Sequence, residues 1–483
     1  MRIGIIGGGI AGLAAAYELE KSRAAGEAVG YTLFEASPRL GGSLASEIVN
    51  GAVLERGPDS FLTEKPAAAE LCRELGLGDA LIPSNDVARK TYIVVRNRLV
   101  PLPDGLMFLV PTKLIPTALT SLFSLGTKLR MAFELLHPPR PAQGDESVAA
   151  LVERHFGAEA VDRLANPLLS GIYGGEASQL SAQTVLPRLV EMERKHGSLT
   201  RGMLAAHRQM RARAKTATQN VKRGPATIFT SLRGGMQQLV NAIASRLDPG
   251  SIQLSTPVSS LRKTDSGWLI GTGESSHAFD AVILATQAWA AGTLLKSVDS
   301  ALAGDLAAIP YSSSITVNLV YDERRIGKLP EGFGFLVPAS EGRAMLACTF
   351  VHRKFLGRTP PGKAVLRAFL GGMKNEALLT EPDTALIAIV RRELSEILGA
   401  RTLDAAAEPE HMQVTRWSRA MAQYSVGHKE RMAHIGARVA TLPGLRLAGN
   451  AYDGIGIPDC IRLGRQAARE LAALGTKATA STL

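Results

Sequence analysis

The sequence predicts an α/β fold: a Rossmann-like dinucleotide-binding domain in separated pieces, with a mixed-sheet domain and a helical subdomain inserted between them. Three observations predict it. Ile3 to Ile6 is a short apolar run without alternation, as in a parallel strand buried on both faces. It leads into a G-x-G-x-x-G turn at Gly7, Gly9 and Gly12 and a stretch of helical composition from Leu13 to Lys21. Tyr31 to Phe34 repeats the strand pattern and ends in Glu35, near the spacing of about 20 residues at which such domains carry an acid. Far downstream, Asp280 to Thr286 reads as a buried strand. Leu445 to Asn450 enters a glycine-broken turn before a helix near Gly464 to Leu474.

Each glycine of the turn has a physical task. Gly7 makes the tight turn, Gly9 lets backbone approach a pyrophosphate, and Gly12 lets the helix pack close on the strand. The phosphates then face Ile10 and Ala11 at the helix N-terminus, where unpaired N–H groups and the positive dipole end favour an anion. A carboxylate at Glu35 accepts ribose hydroxyls and repels a 2′-phosphate, which disfavours an NADP-type ligand. The stretch Glu35-Ala36-Ser37-Pro38-Arg39-Leu40-Gly41-Gly42 matches an E-x-x-x-R-x-G-G pattern. In this the chain resembles the two-dinucleotide-binding flavoproteins, the group of the amine oxidases. The resemblance implies non-covalent FAD, with Arg39, Gly42 and Ser43 in a second segment against the pyrophosphate. A nicotinamide dehydrogenase has no need of that segment.

At 483 residues the chain exceeds one ordinary core and calls for about two or three domains. With 46% hydrophobic and 20% charged residues it is globular, not disordered. The net charge of +11 favours anionic partners: phosphates, carboxylated substrates or acidic lipid. Nucleic acid is not expected, because aromatics are only 5% and no nucleic-acid-binding motif stands out. Cys72, Cys348 and Cys460 have no metal-ligand spacing and cannot all pair, which fits a reducing compartment; Cys460 reads as a small buried thiol. The first strand begins at the N-terminus, so no signal peptide is expected. No run reaches the roughly 18 apolar residues of a spanning helix. The expectation is a cytoplasmic protein, with peripheral contact on the inner membrane face left open, as is the oligomeric state, homodimer included.

Along the chain, Glu55 to Phe61 is a turn-rich loop, and Pro66 and Gly76 punctuate a helix. Tyr92 to Val95 and Arg98 to Leu102 read as strands around an Arg96-Asn97 hairpin. From Asp104 to about Arg223 the character is helical. Leu106 to Pro116, with Leu109, then Leu119, Leu122, Phe123, Leu129, Phe133 and Leu136, are apolar positions interrupted by Lys113, Lys128 and Arg130. This segment reads as an interfacial, membrane-facing patch or, equally, as the core of a helical subdomain. Basic residues within Glu191 to Arg223, Lys222 and Arg223 among them, read as a solvated face and loop, with contact to anionic lipid as the sharper alternative. Strand and helix then return: a helix from Gln237 to about Arg246, strands at Ser251 to Val258, Trp268 to Thr272, Ser314 to Val320 and Ala344 to Phe350, and a helix from Leu378 to Leu398. The expected division is an FAD domain of residues 1–86, 224–300 and 415–483, a substrate domain of 87–103 and 301–414, and a helical subdomain of 104–223.

More selective marks run the length of the chain: ERGPDSF from Glu55, PLLSGIYGG from Pro167, Leu180-Ser181, FGFLVP from Phe333, Arg416-Trp417, AMAQYSVGH from Ala420, Gly449-Asn450, and GIGIPDCI from Gly454. On these the chain resembles the oxygen-dependent protoporphyrinogen oxidase family, including its bacterial coproporphyrinogen-oxidising relatives. The resemblance implies FAD-dependent oxidation of protoporphyrinogen IX to protoporphyrin IX in heme biosynthesis, with O2 as electron acceptor and H2O2 released. Oxidation of coproporphyrinogen III to coproporphyrin III is the alternative. It further implies Gly57, Pro58, Asp59 and Ser60 along the flavin and its linker, and Val258 pairing with adenine through its backbone. Trp417 would pack near the ring, Gly449, Asn450, Ile455, Gly456 and Ile457 would hold the flavin end, and Gly171 would offer its carbonyl to a pyrrole N–H.

The residues' own chemistry agrees with such a substrate. A porphyrinogen is bulky and apolar with propionates at one edge, so it needs a wide apolar slot and one or two cations at the rim. Leu336, Val337, Phe333, Met345 and Phe369 are candidate walls. Arg98 is the first candidate for the propionates, with Arg96 and Lys65 behind it; some relatives carry an arginine directly before the Pro-x-Pro, where this chain has Val100. No nucleophile, metal-ligand cluster or paired acid stands out, and no catalytic residue is assigned, which suits flavin chemistry. His428 reads as a base or as a structural histidine. More distant alternatives are a flavin amine oxidase, a carotenoid desaturase, or a non-catalytic escort protein on the same fold. The complete pyrophosphate loop argues against the last.

Overall fold

A computed structural model describes residues 1–103, 106–107, 110–111, 114–136, 138–139, 142–216 and 227–480. The elements that position the site begin with β1 (Arg2–Ile6), α1 (Ile10–Ala24), β2 (Gly30–Phe34), α2 (Pro66–Glu74), β3 (Thr91–Val95) and β4 (Arg98–Pro101). The helices α3 (Leu125–Leu136), α4 (Val148–Phe156), α5 (Asn166–Tyr173), α6 (Pro187–His196) and α7 (Leu199–Thr216) come next. After them run β5 (Ile252–Gln253), β6 (Ala281–Leu284), β7 (Tyr311–Asp322), β8 (Gly334–Leu336), β9 (Met345–Phe350) and β10 (Lys363–Gly371). The chain closes with α8 (Asp383–Leu398), β11 (His411–Ala422), β12 (Leu445–Leu447) and α9 (Ile457–Ala480).

β1 is apolar throughout because both its faces are covered. It lies inside a parallel five-stranded sheet of order β5–β2–β1–β6–β12. Ile3 and Ile5 pack with Leu13 and Leu19 of α1 and with Ile461 and Leu471 of α9, while Ile6 packs with Phe34, Val282 and Trp268. A Cβ on Gly464 would stand 2.1 Å from the Ala11 carbonyl oxygen, so α1 and α9 meet backbone to backbone. The strand expected from Ser251 to Val258 is only β5. Beyond it the chain leaves the sheet, and Ser255 and Thr256 donate their N–H groups to the carbonyls of Ser37 and Glu35. The last helix starts seven residues earlier than expected from Gly464, at Ile457.

The second sheet has seven strands in the order β11–β7–β10–β9–β8–β3–β4, antiparallel except where β8 lies beside β3. The Arg96-Asn97 hairpin joins β3 to β4, with φ of 49° and 60° at the two turn residues. One face of the sheet is sealed by α8, whose Leu386, Val390 and Leu394 pack on Ile315, Val317, Leu366 and Leu370. β11 stays paired with β7 as far as Ala422.

Helices α3 to α7 gather around Leu122, Phe123, Met131, Val148, Leu151 and Phe156. The apolar positions before and within α3 divide: Leu122 and Phe123 are core, whereas Leu119, Leu129, Phe133 and Leu136 are exposed by half or more. Leu109, Lys113, Lys222 and Arg223 lie outside the described residues. Among the described residues no helix is long and apolar enough to cross a membrane.

Candidate functional site

α1 is preceded at its capping position by Gly9, which has no side chain to cap the helix, and its first turn carries no acid. The leading N–H groups, those of Ile10 and Ala11 among them, are thus open to an anion. There is room for one. A Cβ at Gly9 would meet nothing within 4 Å, whereas at Gly12 it would stand 1.9 Å from the Gly7 carbonyl oxygen. The second glycine loop is drawn against the first by Gly41 N–H donating to Gly8 O at 2.8 Å; a Cβ on Gly42 would sit 3.2 Å from Gly9 Cα. Glu35 accepts the Gly8 N–H through Oε2 at 2.6 Å and the Ser37 N–H through Oε1 at 2.8 Å. Ala36 is exposed beside it, and the Glu35 backbone bonds to Gln253 and Thr256, which brings the Val258 stretch alongside. Arg39, expected against the pyrophosphate, lies in this second glycine loop. Its guanidinium donates to the carbonyls of Leu40, Gly42 and Leu44, because a loop this glycine-rich leaves carbonyls that need donors. Open helix start, close glycines and acid together fit a dinucleotide pyrophosphate and ribose.

The loop after Glu55 joins this cradle to the second sheet. Gly57 passes so near Ser43 that a Cβ would lie 1.8 Å from the Ser43 carbonyl oxygen. From the sheet face opposite α8, Thr316 Oγ1 and Trp417 Nε1 donate to Arg56 O at 3.0 and 2.7 Å, and Asn318 Nδ2 donates to Glu55 O at 3.0 Å. Arg367 donates to Gly57 O. Glu55 pairs with Arg358 at 2.6 Å and Asp59 with Lys354 at 2.9 Å. Burial alone would raise the Asp59 carboxyl, but Lys354 and Arg367 outweigh it and hold it far below the usual carboxylate range. Pro58 is exposed, and Ser60 donates its hydroxyl to Asp59. Lys354, Arg358 and Arg367 are site residues that sequence reasoning missed. A cation in an alternating strand such as β10 reads as solvent-facing, and only the loop that covers Arg367 makes it buried.

At the far end of the cleft, Gly449 (φ 140°) makes the turn after β12. Asn450 donates to Ala420 O at 3.0 Å, and its own carbonyl accepts the Tyr424 hydroxyl at 2.9 Å. After Ile455, Gly456 N–H donates to Asp459 Oδ2 at 3.2 Å, and Ile457 opens α9. His428 is buried, stacked on Tyr424 with ring centroids 4.2 Å apart, and burial lowers its pKa. Its Nε2 faces Tyr452 O at 3.4 Å, and its Nδ1 has no partner among the described residues. The three cysteines are buried and unpaired, and burial pushes Cys72 and Cys460 up to about 12. No metal-binding cluster occurs among the described residues.

The predicted substrate residues do not all converge. Gly171, in the last turn of α5, faces Leu336: a Cβ on it would meet Leu336 Cδ2 at 3.5 Å. Leu336 stands opposite Ile93, and Ile93 opposite Val100. Arg98, two residues along β4, is therefore on the same sheet face and exposed. Phe369 shares this face too, since Thr316 lies opposite it. Phe333 is buried, and Val337 and Met345 pack in the α8-side core while also lining the cavity beside α5. Arg96 occupies the hairpin turn, its backbone N–H on Glu341 at 2.7 Å, away from Leu336. Lys65 is drawn to the start of α9 by Asp459 at 2.6 Å and lines a groove of about 650 Å³ with Glu70, Glu74 and Arg465. A cavity of about 280 Å³ beside α5 includes Asn166, Ser170 and Lys374; Lys374 pairs with Glu176 at 2.8 Å.

Residues 10–472 match the family model of flavin-containing amine oxidoreductases. The chain is 35% identical over 473 residues to a coproporphyrinogen III oxidase of Bacillus subtilis, covering 96% of each. It is 27% identical to a chloroplastic protoporphyrinogen oxidase of Nicotiana tabacum, covering 97% of this chain and 84% of that protein. A crystal structure from an Exiguobacterium species, assigned as a protoporphyrinogen oxidase, superposes with a TM-score of 0.85 at 32% identity over 98% of both chains. The chain belongs to the flavin-containing amine oxidoreductase family and groups within it with the coproporphyrinogen III and protoporphyrinogen oxidases.

Proposed function

We propose that the chain is an FAD-dependent, oxygen-consuming porphyrinogen oxidase whose preferred substrate is coproporphyrinogen III rather than protoporphyrinogen IX. The observation that carries this choice is the difference in likeness: 35% identity to the bacterial coproporphyrinogen III oxidase against 27% to the chloroplastic protoporphyrinogen oxidase. In this reading the Gly7–Gly12 turn and the Gly41–Ser43 loop hold the pyrophosphate, Glu35 the ribose, and Val258 the adenine. Gly57 to Ser60, Trp417 and Ile455 to Ile457 hold the flavin. Bound FAD supplies the two-electron acceptor that O2 regenerates.

The chain's own part is binding and orientation. Leu336 and Phe369 give an apolar floor that keeps water from the macrocycle. The last-turn carbonyl of Gly171 has no partner within its helix and is available to a pyrrole N–H. Arg98 at the sheet edge and Lys374 beside α5 place cations at separate points of the rim, and coproporphyrinogen carries two more carboxylates than protoporphyrinogen for them to meet. Aerobic turnover of both porphyrinogens, followed by porphyrin fluorescence, tests the assignment. The expected result is a higher kcat/KM with coproporphyrinogen III; a clear preference for protoporphyrinogen IX overturns it.

A further inference from the structure

The charges in and beneath the loop after Glu55 do not balance. Glu55 and Asp59 are two carboxylates; Lys354, Arg358 and Arg367 are three cations. Arg358 takes Glu55 and Lys354 takes Asp59, so Arg367 is left over and feels the carboxylates only through space. It is 3% exposed. One end donates to Gly57 O, the guanidinium lies 4.8 Å from the Phe369 ring centroid, and Nε has no partner among the described residues. Asn318, opposite Arg367 in register, also leaves Oδ1 without a partner. A neutral amide, directly or through a water, can satisfy a hydrogen bond there but not a charge. A buried cation whose nearest carboxylates are already paired with other cations is favoured by a further anion nearby.

Position says which anion. The pyrophosphate end of the cradle lies at Gly9 and Gly42 and has the start of α1 to serve it. Arg367 lies instead on the sheet face it shares with Phe369, between the slot and the loop carrying Gly57. We propose that Arg367 is a standing positive charge that acts through space on the isoalloxazine ring, favouring the negative charge the ring takes up on two-electron reduction and so raising its midpoint potential. This rests on the FAD reading above. Arg367 is a positioning charge, not a catalytic residue, since it is almost wholly covered. Its reach depends on the dry, low-dielectric surroundings of the sheet face.

The holoenzyme and its Arg367→Met and Arg367→Lys variants test this through two measurements that need neither substrate nor oxygen. One is the midpoint potential by equilibration with a redox dye; the other is sulfite affinity by bleaching of the flavin band. The methionine variant is expected to have a lower potential, by at least a tenfold change in the reduction equilibrium, about 30 mV for a two-electron couple, and sulfite binding at least tenfold weaker. The lysine variant is expected to keep most of both. Should the methionine variant not fold, Arg367→Gln, which retains a donor for Gly57, carries the same expectation. A charge-removed variant that holds FAD with unchanged potential and sulfite affinity overturns the inference. So does one that loses FAD affinity without a change in potential, since that would place the charge on the phosphates. A wild-type protein that takes up no flavin overturns the FAD reading itself, a different failure from these two.

Discussion

Glu35 shows how one side chain serves both loop and ligand. Its two oxygens each accept a backbone N–H, from Gly8 at 2.6 Å and Ser37 at 2.8 Å, so it braces the glycine turn before any ribose arrives. Bonds of this kind to a charged group contribute about 1.5–3 kcal/mol. Glu35→Gln is isosteric but presents an NH2 where one of the two oxygens now accepts, and the amide cannot accept at both ends. The expected outcome is a loss of about 1.5–3 kcal/mol in denaturant unfolding of the flavin-free protein, together with a lower flavin-to-protein ratio after purification. Lowered flavin content with unchanged apoprotein stability would leave the residue a ribose ligand only. Arg39 makes the complementary point: its guanidinium serves carbonyls of its own loop, and that loop in turn faces the cradle.

Among the helices, the side chain that ties most together is His155 on α4. It is buried between Glu134 of α3 at 2.9 Å and Glu193 of α6 at 2.8 Å, while Glu134 also accepts the Leu199 N–H that begins α7. Burial pushes the imidazole pKa down, but the hydrogen bonds its ring N–H groups donate to both carboxylates outweigh it and raise it above 6.5. Burial likewise raises the two carboxylates, and His155 with its neighbours outweighs it, so they fall below 4.5. A raised histidine stabilises the fold fully below its unfolded pKa, and that stability is lost as pH rises through the folded value. Lowered glutamates stabilise it above theirs, and that stability is lost as pH falls through their folded values. The cluster therefore contributes most between about pH 4.5 and 6.5. His155→Gln should lower Tm more at pH 6 than at pH 9; an equal drop at both would show that shape, not charge, is what the residue supplies. None of this was legible in the sequence, where His155, Glu134 and Glu193 are far apart and polar. β1, the glycine turn and Glu35 were legible because a local period or spacing dictates them. Ser251 to Val258 was misread because leaving a sheet edge is decided by the neighbouring chain. Leu122 and Leu129 look alike in sequence, yet one is core and the other exposed, since the direction a short helix faces is settled by its packing partners.

For the molecule as a whole, the question is what couples the parallel sheet to the seven-stranded one. The strand ending in Glu55 (Ala52–Glu55) pairs with Ser46–Val49 in a two-stranded sheet of its own. The loop after it meets the cradle at Ser43, and the carbonyls from Glu55 onward are held by Thr316, Asn318, Arg367 and Trp417 of the seven-stranded sheet. The anchor beneath is the Glu55–Arg358 pair, with side-chain exposures of 2% and 0%. Arg358 also donates to the Leu232 carbonyl, and Glu55 accepts from Met236 N–H and the Ser46 hydroxyl. Removing one partner of such a pair strands the other charge and costs about 3–5 kcal/mol. Arg358→Met is therefore expected to lose about that much in denaturant unfolding. The double variant Glu55→Met/Arg358→Met should recover part of the loss, because no lone charge remains, but not all, because Met236 N–H then lacks an acceptor. Both sheets depend on the same joint, so tryptophan fluorescence and flavin release should report one coincident transition in the wild type. Arg358→Met should shift that transition without splitting it. A first transition that releases flavin while the tryptophan signal stays native would mean that the two sheets hold together independently and that this joint is dispensable.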